Sequence, residues 1–124
     1  MVRLSAREFE RLVLKALDGL PPPIRQRMDN VDVVVEEWPS PDDLEEAGLD
    51  DRHDLFGLYS GIPLTERTHY DMALPDKITI FQRAIEAACA TRADVVKEVR
   101  LTVIHEVAHH FGLSDAALDH TGYG

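Results

Sequence analysis

The most specific pattern in this sequence is HEVAHHFGLSD, residues 105–115. It has the pattern H-E-x-x-H-x-x-G-x-x-D, in which two histidines stand four residues apart. Residues at this spacing lie one helical turn apart on the same face, so the imidazoles of His105 and His109 can hold one metal ion. Glu106 then lies beside the ion, where its carboxylate can take a proton from a metal-bound water. The pattern therefore predicts a zinc site on a helix.

The chain after this helix offers two candidates for a third metal ligand. Gly112 can take the left-handed conformation that ends a helix, so the chain can fold back and bring Asp115 to the metal. His120 is the alternative, because four of the six histidines lie between positions 105 and 120, although Asp115 matches the spacing better. His120 and Tyr123 are also the candidates to stabilise a developing oxyanion.

The remaining histidines and the one cysteine have simpler interpretations. His110 points about 100° away from His109 around the helix, which favours a role in packing or behind the ligands. His53 and His69 are expected on the surface. Cys89 stands in an alanine-rich stretch, where we expect a small apolar residue and not a reactive thiol.

Length and charge limit the classes of function. The chain has 124 residues, which we interpret as one domain over residues 1–124. Its formal net charge of -10 disfavours binding to nucleic acid or to an anionic membrane, since both need a basic surface. No run of residues is apolar and long enough to span a membrane, and the N-terminus lacks a signal-like apolar core. We expect a cytoplasmic protein.

The hydrophobic pattern predicts an α+β fold, with a small mixed sheet packed with helices. A capping pattern at Ser5 opens a first amphipathic helix, and residues 24–30 can add a short turn. Residues 31–36, 55–59 and 77–81 read as strands, the second at an edge of the sheet. The acidic residues 41–54 predict a solvated loop or short helix, and residues 82–90 fit a helix or a loop. Thr91 and Asp94 predict the cap of the long metal helix, which ends near Phe111.

The motif resembles that of the zincin metallopeptidases, and the whole chain looks like the small bacterial minimal zincin family of predicted zinc peptidases. The similarity extends to FGLYSGIPL at 56–64 and DKITIF at 76–81, so it covers roughly residues 54–115. It implies a zincin-like fold in which an edge strand borders the cleft and pairs with an extended peptide, with the C-terminal lobe nearly absent. Carried onto this sequence, it implies His105, His109 and Asp115 as zinc ligands and Glu106 as the base.

The sequence differs from the larger zincin classes in ways that limit which class it resembles. The class with a glutamate as third ligand is excluded, because no glutamate follows Glu106. The metzincin class places a methionine turn below the metal. Here Met1, Met28 and Met72 all precede the motif, so that turn is missing.

The function predicted from the sequence is a zinc-dependent hydrolase, specifically a peptidase that cleaves peptide bonds with a zinc-activated water and Glu106 as general base. Its partner would be a peptide or protein substrate. We expect that peptide alongside residues 55–59, with the strand at 78–81 as second choice.

The alternative is a catalytically weak or inactive binding module stabilised by zinc. The acid Glu106 between the two histidines disfavours the binding module, because a structural zinc has no use for an acid there. A structural zinc also has a protein group as its fourth ligand. Water as the fourth ligand would favour catalysis, and His120 there would favour a structural site.

Overall fold

The computed structural model describes residues 2–28, 30–61 and 76–112. Helices outnumber strands in these segments, and one 3₁₀ helix spans Arg52–Asp54. The helices and strands, in chain order, are α1 Ala6–Asp18, α2 Pro22–Arg25, β1 Val31–Glu36, α3 Pro41–Ala47, β2 Gly57–Ser60, β3 Asp76–Phe81, α4 Gln82–Ala88 and α5 Arg92–His110.

The three strands form one mixed sheet in the order β1-β3-β2. β3 runs parallel to β1, with Val31 opposite Asp76, and antiparallel to β2, with Gly57 opposite Ile80. The predicted α+β class with a small mixed sheet is therefore confirmed. Within the described segments β2 is an edge strand, as expected. β3 was a wrong second choice for peptide pairing, because both of its sides are already hydrogen-bonded to neighbouring strands.

Helix α5 begins where its sequence predicts. Thr91 Oγ1 accepts a hydrogen bond from the Asp94 amide at 3.2 Å, and Asp94 Oδ2 accepts one from the Thr91 amide at 3.2 Å. These reciprocal bonds satisfy amide groups that the first helical turn leaves without partners. Valines four residues apart then bury one face of the helix against α1 and the sheet. These core residues are Val95, Val99, Val103 and Val107.

Two segments that the sequence left open between helix and loop are helical for most of their length. The acidic stretch 41–54 contains α3 and the 3₁₀ helix, and residues 82–90 contain α4. The strand expected from residue 55 starts at Gly57, and the Leu55 side chain before it is buried in a second apolar cluster with Phe81 and Ala84.

Cys89 belongs to the main apolar core, as its interpretation as a small apolar residue predicts. Burial raises the pKa of its thiol, which lowers its thiolate fraction and its reactivity. Among the described helices, none has both the length and the apolar composition needed to cross a membrane.

Candidate metal site

The candidate metal site lies in the last two turns of α5. His105 and His109 stand one turn apart, with ring centroids separated by 4.5 Å. Potential ligand atoms of His105, Glu106 and His109 all lie within 4.8 Å of one another. Imidazole nitrogens and carboxylate oxygens are donors that zinc accepts, so this set fits the ion that the motif predicts.

Glu106 is nearly buried, with 5% of its surface exposed. Its Oε1 lies 3.2 Å from Nδ1 of His109. When the Glu106 carboxylate is ionised, its oxygens only accept hydrogen bonds, and in that state Nδ1 of His109 is the donor in this contact. The lone pair of a neutral His109 ring then resides on Nε2, which is the nitrogen suited to bind a metal.

Strand β2 approaches Glu106 so closely that only glycine fits at position 57. A Cβ added to Gly57 would lie 2.6 Å from Cγ2 of Thr102 and 3.0 Å from Cγ of Glu106. Glu106 Oε2 would lie 3.4 Å from the same point, so this oxygen faces the strand. The backbone of the edge strand therefore forms one wall beside the Glu106 carboxylate.

A buried polar stripe on α5 follows β2 along its length. Thr102, Glu106 and His110 recur every four residues, which advances about 6 Å along a helix. Gly57 and Tyr59 are two residues apart, which advances about 6.6 Å along a strand. The two spacings nearly match. Gly57 therefore lies against Thr102 and Glu106, and the ring of Tyr59 packs against the ring of His110.

His110 ends this stripe in a buried pair with Asp76, the first residue of β3. Its Nδ1 lies 2.7 Å from Asp76 Oδ2, and that oxygen also accepts a hydrogen bond from the Tyr59 hydroxyl at 2.6 Å. His110 is 2% exposed and does not belong to the candidate metal group. This placement agrees with the packing role expected for it, and it ties the end of α5 to both strands.

Sequence reasoning missed Asp76 and Tyr59 as parts of the site. Both fell within stretches that carry the resemblance, but neither was given a role. The available signal was an acidic residue at the start of the apolar run DKITIF, residues 76–81. A buried acid needs partners, so Asp76 called for a donor such as His110.

A cleft of about 410 Å³ opens next to His105 and Glu106. One wall is residues 54–57, which lead into β2, and the other is a face of α5 that starts at Glu98. The candidate metal group thus borders a space that a ligand can enter, next to the edge strand.

Three predicted site residues, Asp115, His120 and Tyr123, lie outside the described residues, as does His69. Their roles stay predictions. His53 is exposed, as expected, and its Nδ1 lies 2.8 Å from Oδ1 of Asp51.

Comparisons with known proteins agree with this architecture. The model of the zincin-like metallopeptidase family matches residues 28–123, more than three quarters of the chain. No curated protein gives a significant match. Among solved structures, the chain is similar to a conserved hypothetical protein from Thermo thermophilus, with a TM-score of 0.57 and 22% identity. That similarity covers 87% of this chain and 94% of the other, and it supports the fold.

Proposed function

This chain belongs to the zincin-like metallopeptidase family, and on that premise we propose that it is a zinc-dependent peptidase. The observation that carries the proposal is the position of Glu106. Its carboxylate is nearly buried, contacts His109 through one oxygen, and faces the edge strand with the other. A carboxylate at that position can exchange protons with a group in the cleft.

We assign metal binding to Nε2 of His105 and of His109, with Asp115 as the third ligand. The contact between His109 Nδ1 and Glu106 favours this assignment for His109, because it leaves the metal-binding lone pair on Nε2. Zinc held by these residues would supply a Lewis acid that lowers the pKa of a water molecule toward about 7.

Glu106 takes the proton of the attacking water and passes it to the leaving amine. Oε1 is held by His109, so Oε2, on the strand side, is the oxygen that carries the proton. The peptide lies alongside β2, which is an edge strand within the described residues and brings its backbone donors and acceptors next to Gly57. We keep His120 and Tyr123 as the candidates to donate a hydrogen bond to the oxyanion.

The competing proposal is a zinc-stabilised binding module without turnover. A structural zinc has no use for an acid between its ligands. The position of Glu106 on the wall of the cleft therefore favours the hydrolase.

The test is the zinc-loaded protein and its Glu106→Gln variant, each offered a peptide library at equal zinc occupancy. Glu106→Gln keeps the size of the side chain and removes the base, so turnover should fall by roughly 100-fold or more. Zinc content and thermal stability should stay close to those of the parent.

The matched control is Glu10→Gln, the same change at an exposed position of α1, which should leave turnover unchanged. Equal hydrolysis by the parent and Glu106→Gln would refute the peptidase proposal. Asp115→Ala serves as a separate test of the third ligand, because unchanged zinc affinity in this variant would exclude Asp115.

A further inference from the structure

The cleft next to the metal site has a mixed lining. Its apolar lining comes from Leu55, Phe56 and Leu101. Carboxylates line it as well, with Asp54 on the loop before β2 and Glu98 on α5. Because His105 and Glu106 belong to the same lining, a ligand in the cleft is in contact with the candidate metal site.

The carboxylates of Asp54 and Glu98 have no direct cationic partner within the described segments. In the described parts of the chain, neither side chain makes an ion pair or a side-chain hydrogen bond. Carboxylates elsewhere do have such partners, for example Glu86 with Arg83 and Glu8 with Arg92. Within the described residues, the lining of the cleft thus carries two carboxylates that no ion pair offsets.

We propose that this cleft binds a lysine or arginine side chain of the substrate, so that the peptidase acts on basic peptides. The inference rests on the proposed function and narrows its substrate class. Lysine and arginine have long apolar stems with a cation at the tip, which matches a cleft lined by apolar side chains with a carboxylate on each wall. An acidic substrate side chain would meet two like charges and be rejected.

The position of Glu98 limits where the basic residue can stand in the peptide. Glu98 precedes His105 by seven residues, so it lies on the same face of α5 and about 10.5 Å away along the axis. About three residues of extended peptide cover that length. The basic residue therefore stands within about three positions of the bond that is cleaved.

The first experiment measures peptide binding without turnover. Zinc-loaded Glu106→Gln is titrated calorimetrically with two peptides that differ only in lysine or glutamate at one position, scanned over three residues on each side of a fixed dipeptide. We expect a several-fold tighter affinity for lysine at one position or more. We also expect the preference to shrink when the salt concentration rises from about 0.05 M to 0.5 M, because salt screens exposed charge pairs.

The second experiment changes the charge of the cleft. In the Glu106→Gln background, Glu98→Lys should reverse the preference toward glutamate, and Glu98→Gln should reduce it. The matched control is Glu10→Lys, which makes the same change in net charge on exposed α1 and should leave the preference as it was. In the active enzyme, Glu98→Lys should raise KM for lysine peptides roughly 3- to 10-fold with little change in kcat, since Glu98 touches no reacting group.

The outcomes separate this inference from the proposed function. Hydrolysis and binding without any preference for a basic side chain would refute the inference and leave the peptidase standing. A preference that Glu10→Lys changes as much as Glu98→Lys would also refute it, because the effect would then come from net charge. A lysine preference that depends on Glu98, in a protein that hydrolyses no peptide, would support the cleft and refute the peptidase.

Discussion

Two buried glutamates on neighbouring helices, Glu86 and Glu106, have different surroundings. Glu86 on α4 is 1% exposed, and both of its carboxylate oxygens accept hydrogen bonds. Oε2 accepts from the Leu4 amide at 2.7 Å, and Oε1 accepts from the Arg83 guanidinium at 2.6 Å. Glu106 on α5 is 5% exposed, its Oε1 contacts His109, and it lines a cleft.

The difference shows which buried acid is structural. Burial alone raises the pKa of Glu86, but the hydrogen bonds from Leu4, Arg83 and Gln82 outweigh it and hold that pKa below its ordinary value. Glu86 is thus kept ionised and holds the N-terminal segment onto α4. Glu106 borders open space and a candidate metal group, as a proton carrier requires.

The largest effect is expected from Gly57→Ala, which disturbs the packing of β2 against Glu106. The new methyl group would overlap Thr102 and press on Glu106, so the strand or the carboxylate must move. We expect a loss of about 1–3 kcal/mol in the free energy of unfolding, typical of overpacking. Turnover should fall at least about tenfold, because small displacements of a catalytic group are costly. Chemical denaturation and peptide hydrolysis measure the two effects.

Gly19→Ala is the control for that substitution. Gly19 has a φ of -78°, and a Cβ there would meet its nearest atoms at 3.5 and 3.6 Å, which is ordinary contact. Its stability should change by at most about 0.5 kcal/mol. If Gly57→Ala behaved like Gly19→Ala, the close approach of β2 would not constrain Glu106.

Local spacing explains how much of the site could be predicted from the sequence. His105, Glu106 and His109 belong to one helix, and helical geometry alone brings them together. The cap at Thr91 was equally local. The edge position of β2 was also predictable, because its apolar stretch is short and is interrupted by glycines.

The contacts that hold the site to the sheet could not be predicted in the same way. Asp76 and His110 are 34 residues apart, and their contact depends on how α5 crosses β3. The tight fit at Gly57 depends on how α5 packs against β2, because only the packed structure shows which side chains oppose that glycine. Hydrophobic periodicity predicts which face of an element is buried, but not its partner.

A smaller effect is expected from Tyr59→Phe, which tests whether the end of α5 that carries the candidate metal site is tied to the sheet by hydrogen bonds. The variant removes the hydroxyl that donates to the buried Asp76 at 2.6 Å. Hydrogen bonds to charged groups contribute about 1.5–3 kcal/mol, and we expect the lower value because Tyr59 is only half-buried. Thermal unfolding measures the loss, and zinc affinity should fall with it if the last turn of α5 loosens.

Ser60→Ala is the comparison for Tyr59→Phe, because Ser60 also donates to a carboxylate, that of Glu46, but at 3.3 Å and on the surface. Its stability should change by less than about 0.5 kcal/mol. Equal stability of the two variants would show that Asp76 does not depend on the tyrosine.

The smallest effect concerns pH and the Glu86 side of the comparison. The pKa of Glu86 is lower in the folded protein than its ordinary value, so the folded state favours the ionised form. Above about pH 4.3, the ordinary value for glutamate, this contribution to stability is fully present. It is lost as the pH falls from there through the lower pKa of the folded state.

Glu86→Gln cannot titrate, so its free energy of unfolding should lie below that of the parent at pH 7 and approach it as the pH falls below about 4.3. Urea denaturation of both proteins at several pH values measures this convergence. A constant difference across that range would mean that the charge of Glu86 does not stabilise the fold.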